Sequence, residues 1–221
     1  MTSECECLIA AGKAKIIDIS PEIRIGTPVW PGDTEYQESM IWCIEKGSPV
    51  NVGKLTMSSH TGAHADAPRH YHGRGAFIGE VELSPYIGRC RVIRVHKGKS
   101  SIEPGDLMHV GSELTERVLL RTYENAPVES WDSSFASISP ETIEYLASNG
   151  VKLIGVDTPS LDPEASKEML AHKQVLRFDM RILEGLVLDD VSDGIYELVA
   201  LPLKFSHLDA SPVRAILRTV A

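Results

Sequence analysis

The chain has 221 residues, a formal net charge of −9, and 43% hydrophobic and 24% charged residues. This length and balance are typical of one globular domain, and the negative charge argues against nucleic acid or an anionic membrane surface as a partner. No run of about 18 apolar residues is present, so the sequence predicts no membrane span.

Residues 1–14 lack the basic start and long apolar run of a secretory signal peptide, and we expect a flexible lead-in there. A single domain is predicted over residues 15–221. The cysteines are Cys5, Cys7, Cys43 and Cys90. The first two lie too close in sequence to pair with each other and the others lie in apolar runs. We therefore expect no disulfide framework and a reducing, cytoplasmic location.

Segments rich in β-branched and aliphatic residues predict strands along most of the chain. In order they cover residues 15–20, 38–45, 50–59, 89–95, 116–123, 151–160, 181–191, 196–205 and 211–220. Residues 21–33 contain three prolines and two glycines and predict a loop between the first two strands.

Two segments predict helices. Over residues 138–150, Ser139 can cap the helix, Pro140 fits its first turn and Gly150 ends it. The second helix is predicted over residues 164–177. Because strands and helices occur in mixed order without regular alternation, the expected fold class is α/β bordering on α+β. We expect a mixed, barrel-like sheet with helices packed outside it.

The segment SSHTGAHADAPRHYH holds four of the eight histidines. His60, His64 and Asp66 form the pattern H-x₃-H-x-D, whose even spacing places all three side chains on one face of a strand. A straight strand would spread them over roughly 20 Å, whereas ligands of one ion lie about 2.0–2.2 Å from it. The chain must therefore turn here. Gly62 permits the turn, and Pro68 prevents a helix from running through the segment.

Two imidazoles and one carboxylate suit Zn²⁺ and, less selectively, Mn²⁺, Fe²⁺ or Co²⁺. Three protein ligands leave a coordination position open for water, which is typical of catalytic sites. His70 and His72 could each be a further ligand or a general acid/base. A solvated histidine-rich loop without function is the alternative, but four histidines with an aspartate at ligand spacing favour a metal site.

The stretch HTGAHADAPRH resembles the signature H-x-G-T-H-x-D-x-P-x-H of the cyclase-like metal hydrolase family. Other segments, such as VWPGD, GVDTPSLDP, ILEGLVLDDV and HLDASPVRAILR, are similar to the bacterial kynurenine formamidases within that family. The similarity covers nearly the whole chain past residue 15 and implies the family's swivelling β/β/α fold. Ala63 stands where the signature has threonine, but this position is not a ligand.

The resemblance implies two divalent metal ions per subunit, most commonly Zn²⁺. It places His60, His64 and Asp66 on the first ion, with Asp66 bridging to a second ion held by His172 and Glu184. The residues alone would assign His172 to a helix surface. Glu184 lies in the apolar segment RILEGLVL, where a carboxylate is costly unless it is paired or metal-bound.

The resemblance further implies that His70 is the general acid/base and that Trp30 contacts the substrate. The implied reaction is hydrolysis of N-formyl-L-kynurenine to L-kynurenine and formate, the arylformamidase step of tryptophan degradation by the kynurenine pathway. Metal-bound hydroxide would attack the formyl carbon while His70 protonates the departing aniline nitrogen. A homodimer acting on a small-molecule substrate is also implied.

Three alternatives stay open. The same site could hydrolyse another aryl or cyclic amide, such as isatin, or a lactone. A serine hydrolase is disfavoured because the chain has no G-x-S-x-G string, and a metal-storage module would leave Trp30 and His70 without a role. We expect the aspartates of DTPSLDP to make turn hydrogen bonds and His96 and His109 to be structural or on the surface. The residues left without a role are His72, Asp157, Asp162, His207 and Asp209.

Overall fold

The computed structural model describes residues 14–95 and 98–220. Nearly all of the predicted lead-in, with Cys5 and Cys7, lies outside the described residues, as does His96. The strands are β1 (Ile16–Asp18), β2 (Gln37–Trp42), β3 (Val52–Thr56), β4 (His64–Asp66), β5 (Ile87–Arg94), β6 (Ser101–Ile102), β7 (Arg117–Arg121), β8 (Ser137–Ile138), β9 (Leu153–Val156), β10 (Arg181–Glu184), β11 (Gly194–Val199), β12 (Ala210–Pro212) and β13 (Ile216–Thr219). The α-helices are α1 (Pro68–Tyr71), α2 (Pro140–Ser148) and α3 (Leu170–Arg177).

The main sheet of the described chain has the strand order β1-β13-β11-β5-β7-β9-β10-β4-β12. β12 and β13 lie near opposite ends of this order, yet the short link of residues 213–215 between them can span only about 14 Å. The link also bonds to both ends, because Val213 N–H donates to Ala63 O and Ala215 O accepts from Ile19 N–H. The sheet is therefore strongly curled into a half-barrel. This confirms the predicted single domain with a mixed, barrel-like sheet.

The centre of the sheet is parallel, because β5, β7, β9 and β10 run in one direction. Alternate residues of these strands enter two different hydrophobic clusters, as the two-residue period of a strand requires. Leu119 and Leu183 pack inside the curl, whereas Val118 and Ile182 pack on the outer face beneath α2 and α3. Both faces of the central strands are thus buried, which is usual for parallel sheet.

Helix α2 begins and ends as its sequence predicts. Ser139 Oγ accepts the N–H of Thr142, Pro140 is in the first turn, and Gly150 has a φ of +82° just past the helix. These are the standard devices for starting and stopping a helix.

The bounds of the predicted strands and helices differ from the observed ones, and three of the differences have a visible cause. The helix predicted over 164–177 begins only at Leu170, because the preceding residues form turns. The strand predicted over 181–191 ends at Glu184, where Gly185 turns the chain with a φ of +66°. The strand predicted over 211–220 is divided into β12 and β13 by the link that joins the two ends of the sheet.

β2 and β3 form a two-stranded ribbon separate from the main sheet, and every residue in both strands is exposed. The ribbon carries Met40, Ile41, Trp42 and Leu55, each more than half exposed. The expected homodimer stays a prediction.

Among the described cysteines, Cys43 and Cys90 are both free thiols. No helix in residues 14–95 and 98–220 has the length and apolar character needed to cross a membrane.

Candidate active site

Strand β4 carries the centre of the site and lies between β10 and β12. Its register with β10 places His64 directly opposite Glu184. Ala65 packs into the inner hydrophobic cluster, so His64 and Asp66 point to the other face, toward α3. The strand that the even spacing of H-x₃-H-x-D predicts is therefore present for its last three residues, from His64 to Asp66.

The bend expected before this strand is present. Gly62 has a φ of +68°, a conformation that glycine adopts without the strain other residues incur. It packs against Gly185, where an added Cβ would lie 2.4 Å from Gly62 O. The same Gly62 carbonyl oxygen accepts a hydrogen bond from His64 Nδ1 at 3.0 Å. The two glycine turns therefore fix the orientation of the His64 ring.

All five predicted metal ligands form one cluster, with Asp66 at its centre. Its Oδ1 lies 3.2 Å from His60 Nδ1 and 3.5 Å from His64 Nε2, and its Oδ2 lies 3.5 Å from His172 Nε2. Glu184 faces both sides of this group, with Oε2 3.4 Å from His64 Nε2 and Oε1 3.5 Å from His172 Nε2. Glu184 therefore contacts one histidine that the resemblance assigns to the first ion and one that it assigns to the second.

Several donor atoms of this cluster are buried without a hydrogen-bond partner. They are His64 Nε2, His172 Nε2 and both carboxylate oxygens of Asp66. The carboxylate oxygens of Asp66 lie 3.2–3.5 Å from nitrogens of the three imidazoles, but these contacts lack the geometry of hydrogen bonds. Buried polar atoms are nearly always satisfied, so this concentration of orphaned nitrogen and oxygen atoms fits a divalent cation well.

The three imidazoles nearest Asp66 each form a hydrogen bond through the ring nitrogen that faces away from Asp66. His172 Nδ1 donates to Asp162 Oδ2 at 2.6 Å, and His60 Nε2 donates to Asp209 Oδ2 at 3.1 Å. His64 Nδ1 donates to the backbone carbonyl oxygen of Gly62. Metal-ligating histidines in proteins are usually held in this way, because the outer acceptor fixes the tautomer and the ring orientation.

The electrostatic field in the cluster favours positive charge. Burial opposes protonation of His172, but its hydrogen bond to Asp162 and the nearby negative charges of Asp66 and Glu184 outweigh it and raise its pKa to about 10. Burial likewise opposes protonation of His60, and Asp209 and Asp66 raise its pKa to about 10. The carboxylates that stabilise a proton on each imidazole would stabilise a cation in its place, so metal and protons compete for these nitrogens.

His70 lies beside the cluster on α1. Its ring centroid is 4.3 Å from that of His60 and 6.0 Å from that of His172. Two triads of donor atoms have a spacing that could hold an ion around Asp66: one comprises His60, His64 and Asp66, and the other Asp66, His70 and His172. By geometry alone, His70 could therefore be a ligand or an acid/base.

A cavity of about 580 Å³ opens onto His60, His64, His70 and Glu184. Trp30 lines it, in the position expected for a substrate contact. Trp131 lines it as well and meets Trp30 edge-on, with the ring centroids 5.3 Å apart. Trp131 Nε1 donates to Glu164 Oε2 at 2.6 Å, which fixes the indole in place. The donor cluster thus faces an aromatic wall.

A buried carboxylate anchors the loop that carries Trp131. Asp157 accepts the backbone N–H groups of Thr122 and Tyr123 and the hydroxyl of Thr122, at 2.7–3.0 Å. Burial raises the pKa of Asp157 to about 6, although these hydrogen bonds favour its charged form. Asp157 is therefore tied to this segment across the sheet rather than to its own turn.

The sequence missed three supports of the site. Asp162 was expected to bond within its own turn, but it accepts the N–H groups of Ala171 and His172 together with the His172 ring. Asp209 was left without a role, and Trp131 was not considered. The available signal for Asp162 was a carboxylate eight residues before the helix that bears a candidate ligand. His72, His109 and His207 are exposed, which confirms the surface assignment of His109.

Residues 17–163 match the model of the family Cyclase, described as "Putative cyclase". The chain belongs to the cyclase family. The matched segment includes the H-x₃-H-x-D pattern and His70, whereas His172, Glu184 and Asp209 lie beyond it.

Solved structures of similar fold agree with this membership. One, described as a potential metal-dependent hydrolase with cyclase activity, is 28% identical, has a TM-score of 0.80, and the match covers 94% of this chain and 99% of that one. Another, a predicted metal-dependent hydrolase from Bacillus stearothermophilus, is 27% identical, with a TM-score of 0.79 and the same coverage. Isatin hydrolase A from Labrenzia aggregata, bound to benzyl benzoate, is 20% identical with a TM-score of 0.81 over 96% of both chains, and shows the shared fold.

Proposed function

We propose that this member of the cyclase family hydrolyses N-formyl-L-kynurenine to L-kynurenine and formate with two divalent metal ions, most suitably Zn²⁺. The broader statement, that the chain is a metal-dependent hydrolase, is supported by family membership and by the orphaned donor cluster. The observation that supports an aryl substrate is the aromatic wall of Trp30 and Trp131 facing that cluster across one cavity.

The chain's own residues divide the work of the proposed reaction. His60, His64, Asp66, His172 and Glu184 would hold the ions. When bound, the ions would lower the pKa of a coordinated water and polarise the scissile carbonyl group. His70 can accept the proton of the attacking water and deliver it to the aniline nitrogen as the carbon–nitrogen bond breaks.

The shape of the site suits an anilide of formic acid. A formyl carbon is unhindered and an aniline is a better leaving group than an alkyl amine, so the reaction needs no covalent nucleophile. The flat ring of the substrate would pack against Trp30, held on a loop by Pro28 and Pro31. Cyclic amides such as isatin, or lactones, carry a comparable aryl or carbonyl group and are the competing substrates.

Parallel assays test the proposal. We expect zinc-loaded protein to cleave N-formyl-L-kynurenine with a kcat/KM at least roughly 100-fold above that for isatin, equivalent to about 2.7 kcal/mol of transition-state stabilisation. Chelation should remove this activity, and added Zn²⁺ should restore it, because water activation depends on the ion.

Each other outcome has a distinct meaning. A preference for isatin or a lactone would overturn the formylkynurenine assignment and leave the broader hydrolase statement intact. Activity that survives complete metal removal but is lost to a serine-directed inhibitor would contradict the metal mechanism. Fully metallated protein without any amidase or esterase activity would favour a metal-storage role.

Removing the Trp131 ring tests the aromatic wall. Trp131→Ala should raise KM for an aryl amide about tenfold with little change in kcat, because the ring binds substrate and transition state alike. Trp131→Phe retains an aromatic face and should show a smaller increase. Steady-state kinetics and a melting curve of each variant would check this, and an unchanged KM in correctly folded Trp131→Ala would place the substrate ring elsewhere.

A further inference from the structure

One carboxylate oxygen joins two histidines to which we assign different tasks. Asp209 Oδ2 lies 3.1 Å from His60 Nε2 and 3.0 Å from His70 Nδ1. The other oxygen, Oδ1, accepts the hydroxyl of Ser59 at 3.2 Å. Asp209 therefore contacts the candidate metal ligand and the candidate acid/base at once, from the side away from Asp66.

The fold holds Asp209 firmly in this position. It directly precedes β12, and its backbone oxygen accepts the N–H of Ala67 at 2.8 Å. The neighbouring Leu208 O accepts the N–H of Ile78 at 3.0 Å. The first bond ties Asp209 to the segment between His60 and His70 and the second ties its neighbour to the segment after His70, so the carboxylate and the two rings share one rigid frame.

The contacts require opposite tautomers of the two rings. A carboxylate only accepts hydrogen bonds, so His60 must carry its proton on Nε2 and His70 must carry its proton on Nδ1. When its ring is neutral, as binding to a metal requires, His60 then presents an unprotonated Nδ1 toward Asp66. His70 is left with an unprotonated Nε2, the atom that can accept a proton in general base catalysis.

We propose that Asp209 is a positioning residue that fixes the tautomers and orientations of His60 and His70 together, aligning the acid/base with the metal centre. The proposal rests on the roles proposed above for these two histidines. Because one oxygen serves both rings, a displacement of either ring is transmitted to the other. In this role Asp209 acts through the two imidazoles and does not itself bind the substrate.

The test uses zinc-loaded protein labelled with ¹⁵N in histidine. Two-bond ¹⁵N–¹H spectra, recorded where the rings are neutral, report which nitrogen of each ring carries the proton. We expect His70 to be protonated on Nδ1 in the unaltered protein and to become a mixture of tautomers in Asp209→Ala. Asp209→Asn keeps an acceptor oxygen and should retain much of the Nδ1–H form.

Kinetics supply the second measurement. Asp209→Ala should lower kcat about 10- to 100-fold, the usual range for loss of a residue that orients a ligand or acid/base, with a smaller change in KM. In a His70→Ala background, Asp209→Ala should lower kcat by a smaller factor than it does alone, because only its effect through His60 then remains. Asp193→Asn is the matched control, since its carboxylate accepts the N–H of Arg94 and should not alter the His70 signals.

The outcomes separate the two proposals. Protonation of His70 on Nε2 in the unaltered protein, or an unchanged tautomer and kcat in Asp209→Ala, would overturn the role of Asp209. If formylkynurenine is not hydrolysed but the tautomers respond as expected, the positioning role stands and the substrate assignment fails.

Discussion

Replacement of Asp66 by Asn should remove both metal binding and hydrolysis, the largest expected loss of activity in the chain. Among the residues that the structure describes, Asp66 is the one carboxylate whose oxygens approach all three of the imidazoles that we propose as metal ligands. An amide offers only one neutral oxygen, so it would be a much weaker ligand for a cation than the carboxylate. We expect kcat/KM to fall at least about 10³-fold, since metal-ion catalysis supplies several kcal/mol. Elemental analysis and the formylkynurenine assay would check both effects.

Asp157→Asn is the matched comparison. Asp157 is another buried carboxylate, but it anchors the loop with Trp131 and contacts none of the donor nitrogens. This variant should keep its metal content even if substrate binding suffers. Full metal content in Asp66→Asn would show that the ions bind elsewhere and would overturn the proposed site.

Replacement of Gly185 by Ala should be the most destabilising single-methyl change at the site. The added Cβ would lie 2.4 Å from Gly62 O, a backbone atom, and the φ of +66° is unfavourable for alanine. This steric overlap and the strained backbone conformation together should lower the free energy of unfolding by about 4 kcal/mol. In a chain of this size that corresponds to a fall of roughly 10 °C in Tm. Metal affinity should fall too, because the displaced carbonyl group holds His64.

Gly150→Ala separates the two causes. Gly150 also has a positive φ, of +82°, but nothing lies within 4 Å of its added Cβ. Only the conformational cost of about 1 kcal/mol applies there, so Tm should fall by roughly 3 °C and metal affinity should not change. Equal losses in the two variants would mean that the contact with Gly62 is unimportant.

Local patterns predicted the regular parts of the fold well. The alternation in residues 15–20 and the cap at Ser139 act over a few neighbouring residues, so they could be recognised in the sequence alone. The late start of α3 could not, because an acceptor at Asp162 and the turns before Leu170 set it. The division of residues 211–220 likewise depends on the curl of the whole sheet, which no local pattern encodes.

In the candidate site, too, local sequence patterns predicted only the residues that lie close together in the chain. His60, His64 and Asp66 stand close together in sequence, and their residue types indicated a metal. His172 and Glu184 could be named only through the family resemblance, and the structure brings both within 3.5 Å of a partner in the cluster. Asp209 was left undecided because its contacts with His60 and His70 span well over a hundred residues. Their roles as ligands and supports stay predictions.

The link of residues 213–215 that closes the curled sheet has a consequence for biosynthesis. β12, β13 and Asp209 are made after every other strand of the sheet, yet they touch its two far ends and the two histidines. The contacts of Asp209 with His60 and His70 therefore cannot form until this stretch has emerged from the ribosome.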